Sequence, residues 1–179
     1  GVGYEAREPG ILHRLDVDTS GLLLAARNAT VFEVLRNLLA AGGIEKEYQA
    51  LVGGSMRAPQ TIPYAIATDP TSATRVRVCF NEDEEFGWGG KPATTEVLSA
   101  TPRGIFSLVS VRAKAARRHQ VRAHLAAAGH PIVGDNIYGG PTAVGVTHHL
   151  LHASRMTFAH PVSGAVVDLT APIPASWPS

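Results

Sequence analysis

The sequence predicts an α+β domain: a mixed, mainly antiparallel sheet with flanking helices. Three observations predict it. Short runs rich in Ile, Leu and Val recur along the chain, bounded by Gly, Pro, Asn or Ser. Two stretches carry apolar residues at helical spacing. Most successive strands are joined by turns too short for the crossovers of an all-parallel sheet. With 179 residues, 45% of them apolar and 17% charged, the chain is long and apolar enough for a real core and is not disordered. No internal repeat and no clean boundary divides it, so 1–179 is expected to be a single domain.

Gly1 to Pro9 reads as loop. Residues 10–15 and 21–26 read as two strands around the turn Asp18-Thr19-Ser20-Gly21. Thr30 is the expected N-cap of a helix whose Val31, Val34, Leu35, Leu38 and Leu39 share a face, stopped by Gly42-Gly43. Ile44 to Val52 follows as a strand. Residues 55–74, with Pro59, Pro63 and Pro70, read as loop with short extended pieces. Arg75 to Phe80 alternates basic and apolar, the pattern of a half-exposed strand. Asn81 to Pro92, acidic and then glycine-rich, reads as a mobile surface loop. Thr94–Leu98 and Phe106–Arg112 are strands about a Pro-Arg-Gly turn. Arg117 to Ala128 reads as a helix with a Val121, Leu125, Ala128 stripe. Leu150–Phe158 and Ala165–Leu169 form the last hairpin.

Composition narrows the chemistry. The formal net charge is +1, so any surface for a polyanion is local. Cys79 is the only cysteine, which excludes an internal disulfide and fits a reducing, cytoplasmic setting. No apolar run is long enough to span a bilayer. No exposed apolar stripe stands out, so a monomer is expected. His148, His149 and His152, or His119, His124 and His130, are conceivable metal ligands, but neither set has a cysteine pair or a His-Glu-x-x-His pattern, and no metal is expected.

Three constellations carry chemistry. In Gly10-Ile11-Leu12-His13-Arg14-Leu15-Asp16, the acid closes an apolar segment, and Arg14 leaves the same face of an extended chain. A carboxylate held beside a cation stays ionised and aimed, as a nucleophile or general base requires. Plain turn chemistry explains Asp-x-Asp-Thr-Ser-Gly equally well in isolation. In Glu45 to Val52, Lys46, Tyr48 and Ala50 share one strand face, and Tyr48 is either a packed aromatic or a platform that stacks on a base. In Arg117 to Leu125, Arg118 and Arg122 stand one helical turn apart; the run is either a solvated basic face or a phosphate contact with a cation for a buried carboxylate.

Together these motifs resemble a known family. His13-Arg14-Leu15-Asp16-x-x-Thr19-Ser20-Gly21-Leu22-Leu23 resembles the catalytic signature of the RluA-like RNA pseudouridine synthases. Lys46-Glu47-Tyr48-x-Ala50-x-Val52 is similar to their tyrosine motif. Arg117-x-His119-Gln120-Val121-Arg122-x-His124-Leu125, then Gly129 to Asp135 and Tyr138-Gly139, resembles their third motif. Leu151-His152-Ala153, His160 to Gly164 and Ala171 to Pro174 resemble their C-terminal signature, so the likeness runs from Gly10 to Pro174.

The resemblance implies the pseudouridine synthase fold, with a central RNA-binding cleft, and cofactor-free isomerisation of uridine in ribosomal or transfer RNA. It assigns Asp16 as catalytic aspartate, Tyr48 as the tyrosine packed on the target base and Arg122 as the basic partner of the aspartate. Arg14 matches the arginine that in some relatives fills the gap left by a flipped nucleotide. His13, Thr19, Arg117, Arg118, His119 and Gln120 are expected to contact the RNA. The family's catalytic domain normally starts earlier, with a strand and a Lys-Pro-Ala-Gly turn; that segment, and any upstream S4-like domain, is expected to be missing from this chain. Two alternatives stand beside this reading: a non-catalytic RNA-binding module, and a haloacid-dehalogenase-type phosphatase with Asp16 and Asp18 around Mg²⁺.

Overall fold

The computed structural model describes residues 2, 10–113 and 117–178. The expected loop at Gly1 to Pro9 lies, apart from Val2, outside them. Among the described residues the elements run β1 (Ser20–Gly21), α1 (Ala29–Ala40), β2 (Glu45–Gly53), β3 (Gln60–Ile62), β4 (Ala65–Thr68), β5 (Val76–Cys79), α2 (Glu82–Trp88), β6 (Thr95–Arg103), β7 (Phe106–Ala113), α3 (Gln120–Ala127), β8 (Leu151–Ala159) and β9 (Val166–Thr170).

Seven strands form one sheet in the order β1-β8-β2-β7-β6-β3, with β9 also on β8; β4 and β5 pair separately. Every pairing is antiparallel except β1 with β8, so the mixed, mainly antiparallel sheet predicted above is the one observed. β2 lies between β7 and β8. Its residues alternate: Lys46, Tyr48, Ala50 and Val52 are buried, while Glu45, Glu47 and Gln49 are partly exposed. Ala50, Val52, Val97, Val109 and Val111 join Leu125 of α3 and Ile132 and Val133 of the next loop in the main core. Full burial of each Val, Leu or Ile contributes about 1.5–3 kcal/mol. A second cluster seats α1, through Phe32 and Leu35, against Leu12, Ile44, Met156 and Phe158.

Several boundaries differ from the sequence reading. Residues 10–15 and 21–26 do face each other, with Leu12 N–H donating to Leu24 O (3.1 Å) and Ala26 N–H to Gly10 O (2.8 Å). The only regular strand there is the two-residue β1, which pairs instead with β8. Asn28, not Thr30, caps α1, accepting from Val31 N–H at 2.9 Å. The segment read as loop after Phe80 contains α2. Asn81 caps it, four acids fill its first turn where the helix dipole favours negative charge, and Gly89 ends it. The short extended pieces expected within residues 55–74 are β3 and β4. α3 starts at Gln120 rather than Arg117, because His119 adopts a left-handed backbone (φ 54°) that breaks the helix before it. Arg118 and Arg122 therefore do not share a helical face.

The parallel pairing of β1 depends on Gly21. Its φ is 112°, and a Cβ there would collide with the backbone nitrogen and carbonyl oxygen of Ala153. Gly42 also has positive φ (72°) but open space around it. Gly21→Ala is therefore expected to destabilise the fold by about 3 kcal/mol, roughly 6–12 °C in Tm, against about 1 kcal/mol for Gly42→Ala. Thermal unfolding followed by circular dichroism checks this; equal losses in the two variants would contradict the close β1–β8 approach.

Candidate active site

The sheet edge presents Asp16. The Thr19 N–H donates to the Asp16 carbonyl at 2.9 Å and closes a tight turn, in which Asp18 takes a left-handed backbone (φ 71°). Two histidines next to or on β8 clamp the turn: Thr19 Oγ1 lies 2.8 Å from His149 Nε2, and Ser20 Oγ lies 2.8 Å from His152 Nδ1. The Asp16 side chain stays 16% exposed, open to a cleft of about 260 Å³.

Arg122 approaches from α3, only 4% exposed. Its Nη1 is 3.6 Å from Asp16 Oδ2. The sequence reading paired Arg122 with Asp16 alone; the shorter contacts go to Asp135. Arg122 Nε donates to Asp135 Oδ2 at 2.7 Å, and Nη2 to Oδ1 at 2.9 Å. Asp135 is buried, and its carboxylate also accepts from Ile137 N–H and Tyr138 N–H. Burial works against charge on Asp135, but the doubly bonded guanidinium, aided by the Tyr138 N–H, holds its carboxyl below the usual range. Asp135 stood in a quoted motif with no role attached, and nothing local signals its partner on the preceding helix.

His119 reaches the other oxygen of Asp16, with Nε2 at 3.9 Å from Oδ1. Its Nδ1 lies 3.1 Å from Tyr138 Oη, which accepts from Val76 N–H at 2.9 Å. Burial lowers the His119 pKa, and the cations Arg122 and Arg118 add to this against Asp16, so the ring is neutral in the neutral pH range. One tautomer satisfies both ends: Tyr138 donates its O–H to Nδ1, and the Nε2–H faces the acceptor-only carboxylate. This use of Tyr138 and of the strained His119 backbone was not legible in the sequence.

Tyr48 lines the same cleft from β2, 7% exposed. Burial, then the charge of Asp16, pushes its phenol up to about 12, so it stays protonated. Leu15, Val121 and Leu151 complete an apolar wall.

The structure also places His13, Arg14, Thr19, Arg117, Arg118 and Gln120 along this cleft. Their chemistry divides. Arg14, Arg117 and Arg118 are exposed at its rim. Arg117 Nε also donates to Pro92 O (2.9 Å), and Arg118 Nη2 to Ala73 O (2.7 Å). Gln120 is turned inward: its amide donates to Thr94 O (2.9 Å) and accepts from Arg117 N–H (3.0 Å), bracing the loop before α3. His13 Nε2 accepts from Leu24 N–H at 3.2 Å, and burial, with Lys46 nearby, lowers its pKa to about 4, so it carries no charge for a phosphate at neutral pH. Of the histidines weighed as metal ligands, His124 bonds Thr95 and Tyr64 and His130 bonds Gly53 O. Among the described residues no three His, Cys, Asp or Glu side chains gather as a metal site.

Comparison with known proteins gives this geometry a family. Residues 3–127 match the family model described as RNA pseudouridylate synthase. A Chloroflexus aurantiacus protein named as an uncharacterized RNA pseudouridine synthase is 39% identical over 175 residues, covering 97% of this chain and 52% of that protein. Ribosomal large subunit pseudouridine synthase D of Escherichia coli K12 is 33% identical over 178 residues, covering 92% and 52%. The chain thus spans about half the length of these relatives. The solved structure of human RNA pseudouridylate synthase domain containing 1 superposes with a TM-score of 0.70 at 26% identity, over 92% of this chain and 69% of that one. Human RNA pseudouridylate synthase domain containing 4, at 18% identity and TM-score 0.67, shares the fold. A match over residues 3–127, most of the chain, shows that this chain belongs to the RNA pseudouridylate synthase family.

Proposed function

We propose that this chain carries the catalytic centre of an RNA pseudouridine synthase, which isomerises uridine to pseudouridine without a cofactor. The observation that carries the reading is Asp16, presented to the cleft with one oxygen facing Arg122, the other facing His119, and Tyr48 on the cleft wall. The reaction breaks the N1–C1′ bond, turns the base and joins C5 to C1′. A stacked base is out of reach, so the uridine flips out of its RNA. Exposed Arg14 is the candidate to occupy the vacated stack, and Tyr48 to stack on the uracil. The carboxylate of Asp16 either attacks C1′ or takes the C2′ proton. Either route needs the Asp16 carboxylate held in the cleft, where Arg122 Nη1 faces it at 3.6 Å. The Tyr48 hydroxyl, which stays protonated, is the candidate to relay the C5 proton at the end, taking it as its own proton passes to solvent in the cleft.

Ribosomal RNA is the favoured substrate, because several relatives are named ribosomal large subunit pseudouridine synthase D; transfer RNA is the second candidate. A lone buried thiol, Cys79, fits a reducing compartment such as the cytoplasm, and the cleft residues named above all come from one chain, in keeping with a monomer.

Tritium release from [5-³H]uridine-labelled ribosomal and transfer RNA tests the reading. Release by the wild-type protein that disappears in Asp16→Asn, with RNA binding retained, is the expected result; turnover by pure Asp16→Asn would remove Asp16 from the chemistry. RNA binding with no release from either pool would favour the binding-only module. Tyr48→Phe separates stacking from proton transfer: the ring alone keeps the wild-type rate, whereas a proton-transfer role lowers kcat at unchanged KM. Tyr138→Phe removes the group that fixes the His119 tautomer, and kcat is expected to fall about 10–100-fold with little change in KM. Wild-type kcat in this variant would leave the Tyr138–His119 chain a purely structural feature.

A further inference from the structure

One buried charge in the cleft has no partner among the described residues. Among the described residues, the charged groups that are buried are Lys46, Asp69, Arg122 and Asp135. Asp69 is bonded to Arg75, and Asp135 to Arg122. Lys46 is 5% exposed; its side chain has no hydrogen bond or ion pair to any described residue, and burial alone acts on its ammonium, lowering its pKa to about 8. The cause is the strand pattern: position 46 falls on the inward face of β2 with Tyr48, Ala50 and Val52. The side chain there lines the Asp16 cleft. An isolated buried ammonium is strongly unfavourable, and protein cores almost always supply it with an anion. The nitrogen is not sealed off: it opens on the cleft, where an anion carried by a ligand can reach it.

Resting on the RNA reading above, we propose that Lys46 is the binding site for one backbone phosphate of the RNA, adjoining the nucleotide held at Asp16. The ammonium offers three donors and no acceptor, and only a full negative charge offsets its desolvation; uracil presents neutral carbonyls. The rim of the same cleft carries Arg14, Arg117 and Arg118, a cationic lip that matches a polyanion rather than a small neutral molecule. His13, which faces Lys46, adds no second charge, since its Nε2 accepts the Leu24 N–H. Lys46 is therefore the one inward-facing cation of the cleft that no described carboxylate neutralises.

The test uses Lys46→Met and Lys46→Arg with ribosomal RNA. Lys46→Met is expected to weaken RNA binding about tenfold at 0.1 M salt and to lower the slope of log affinity against log salt by about one; Lys46→Arg keeps the slope. Affinity of the wild type is expected to hold below pH 8 and fall above it, since phosphate binds the protonated amine; Lys46→Arg lacks that fall. The other titratable groups facing Lys46 are silent in this window, His13 near 4 and Tyr48 near 12. In the wild-type protein, RNA is expected to protect Lys46 from acylation at pH 8, read by mass spectrometry, which removes any dependence on how the variants fold. Unprotected Lys46 overturns the proposal. So does weaker binding by a folded Lys46→Met with the wild-type salt slope, which would put a neutral group against the amine. Tritium release from the same RNA is read separately. A Lys46-dependent salt slope without release keeps the phosphate site and rejects the synthase reading; release without protection does the reverse.

Discussion

One guanidinium between two carboxylates organises this molecule. Arg122 is bonded twice to buried Asp135 and extends its remaining nitrogen to within 3.6 Å of Asp16. Asp135 fixes the plane and position of the fork, and the geometry of a bidentate pair leaves one direction for Nη1. A buried arginine whose only partner was a half-open carboxylate would be both poorly compensated and poorly aimed. With Asp135 in place, the positive end points at Asp16 before any substrate arrives.

The rest of the sheet serves to bring Asp16 to that point. The acid lies on a turn, which by itself would be mobile. It is pinned on its C-terminal side by β1, whose glycine lets the chain pass against Ala153, and by the two histidine clamps to Thr19 and Ser20. His119 approaches from the opposite side, held by Tyr138, which is itself bonded to Val76 of the small β4–β5 sheet. Helix, loop and both sheets thus meet around one carboxylate. Among the described residues, the non-glycine residues with positive φ are Asp18 and His119, and both flank the site.

Much of this was legible in the sequence for physical reasons. Alternation in β2 gave both faces correctly, and Tyr48 fell on the face that lines the cleft. Asp16 stood out because a turn closes an apolar segment just after it. The misses also have causes. Asp135 is one isolated acid in a glycine-flanked loop, and its partner lies 13 residues earlier in the sequence on another element, so no local period links them. The start of α3 depends on a left-handed histidine, which no propensity forecasts. α2 was missed although Asn81 and Gly89 cap it, because its exposed acids and Trp-Gly tail carry no apolar stripe; no residue of it is buried. Lys46 was placed on its face, but only the fold shows that this face lines the Asp16 cleft.

The role of Asp135 is the most direct check on this account, because Asp135 lines neither the cationic rim nor the cleft, and reaches Asp16 only through the groups it holds, Arg122 directly and His119 by way of Tyr138. The decisive measurement is single-turnover tritium release by Asp135→Asn at saturating RNA, with circular dichroism confirming that the sheet is intact. The account predicts RNA affinity close to wild type and a rate about 100-fold lower, because the fork loses its charged anchor and Asp16 its aimed cation. A folded Asp135→Asn protein that turns over at the wild-type rate would contradict it.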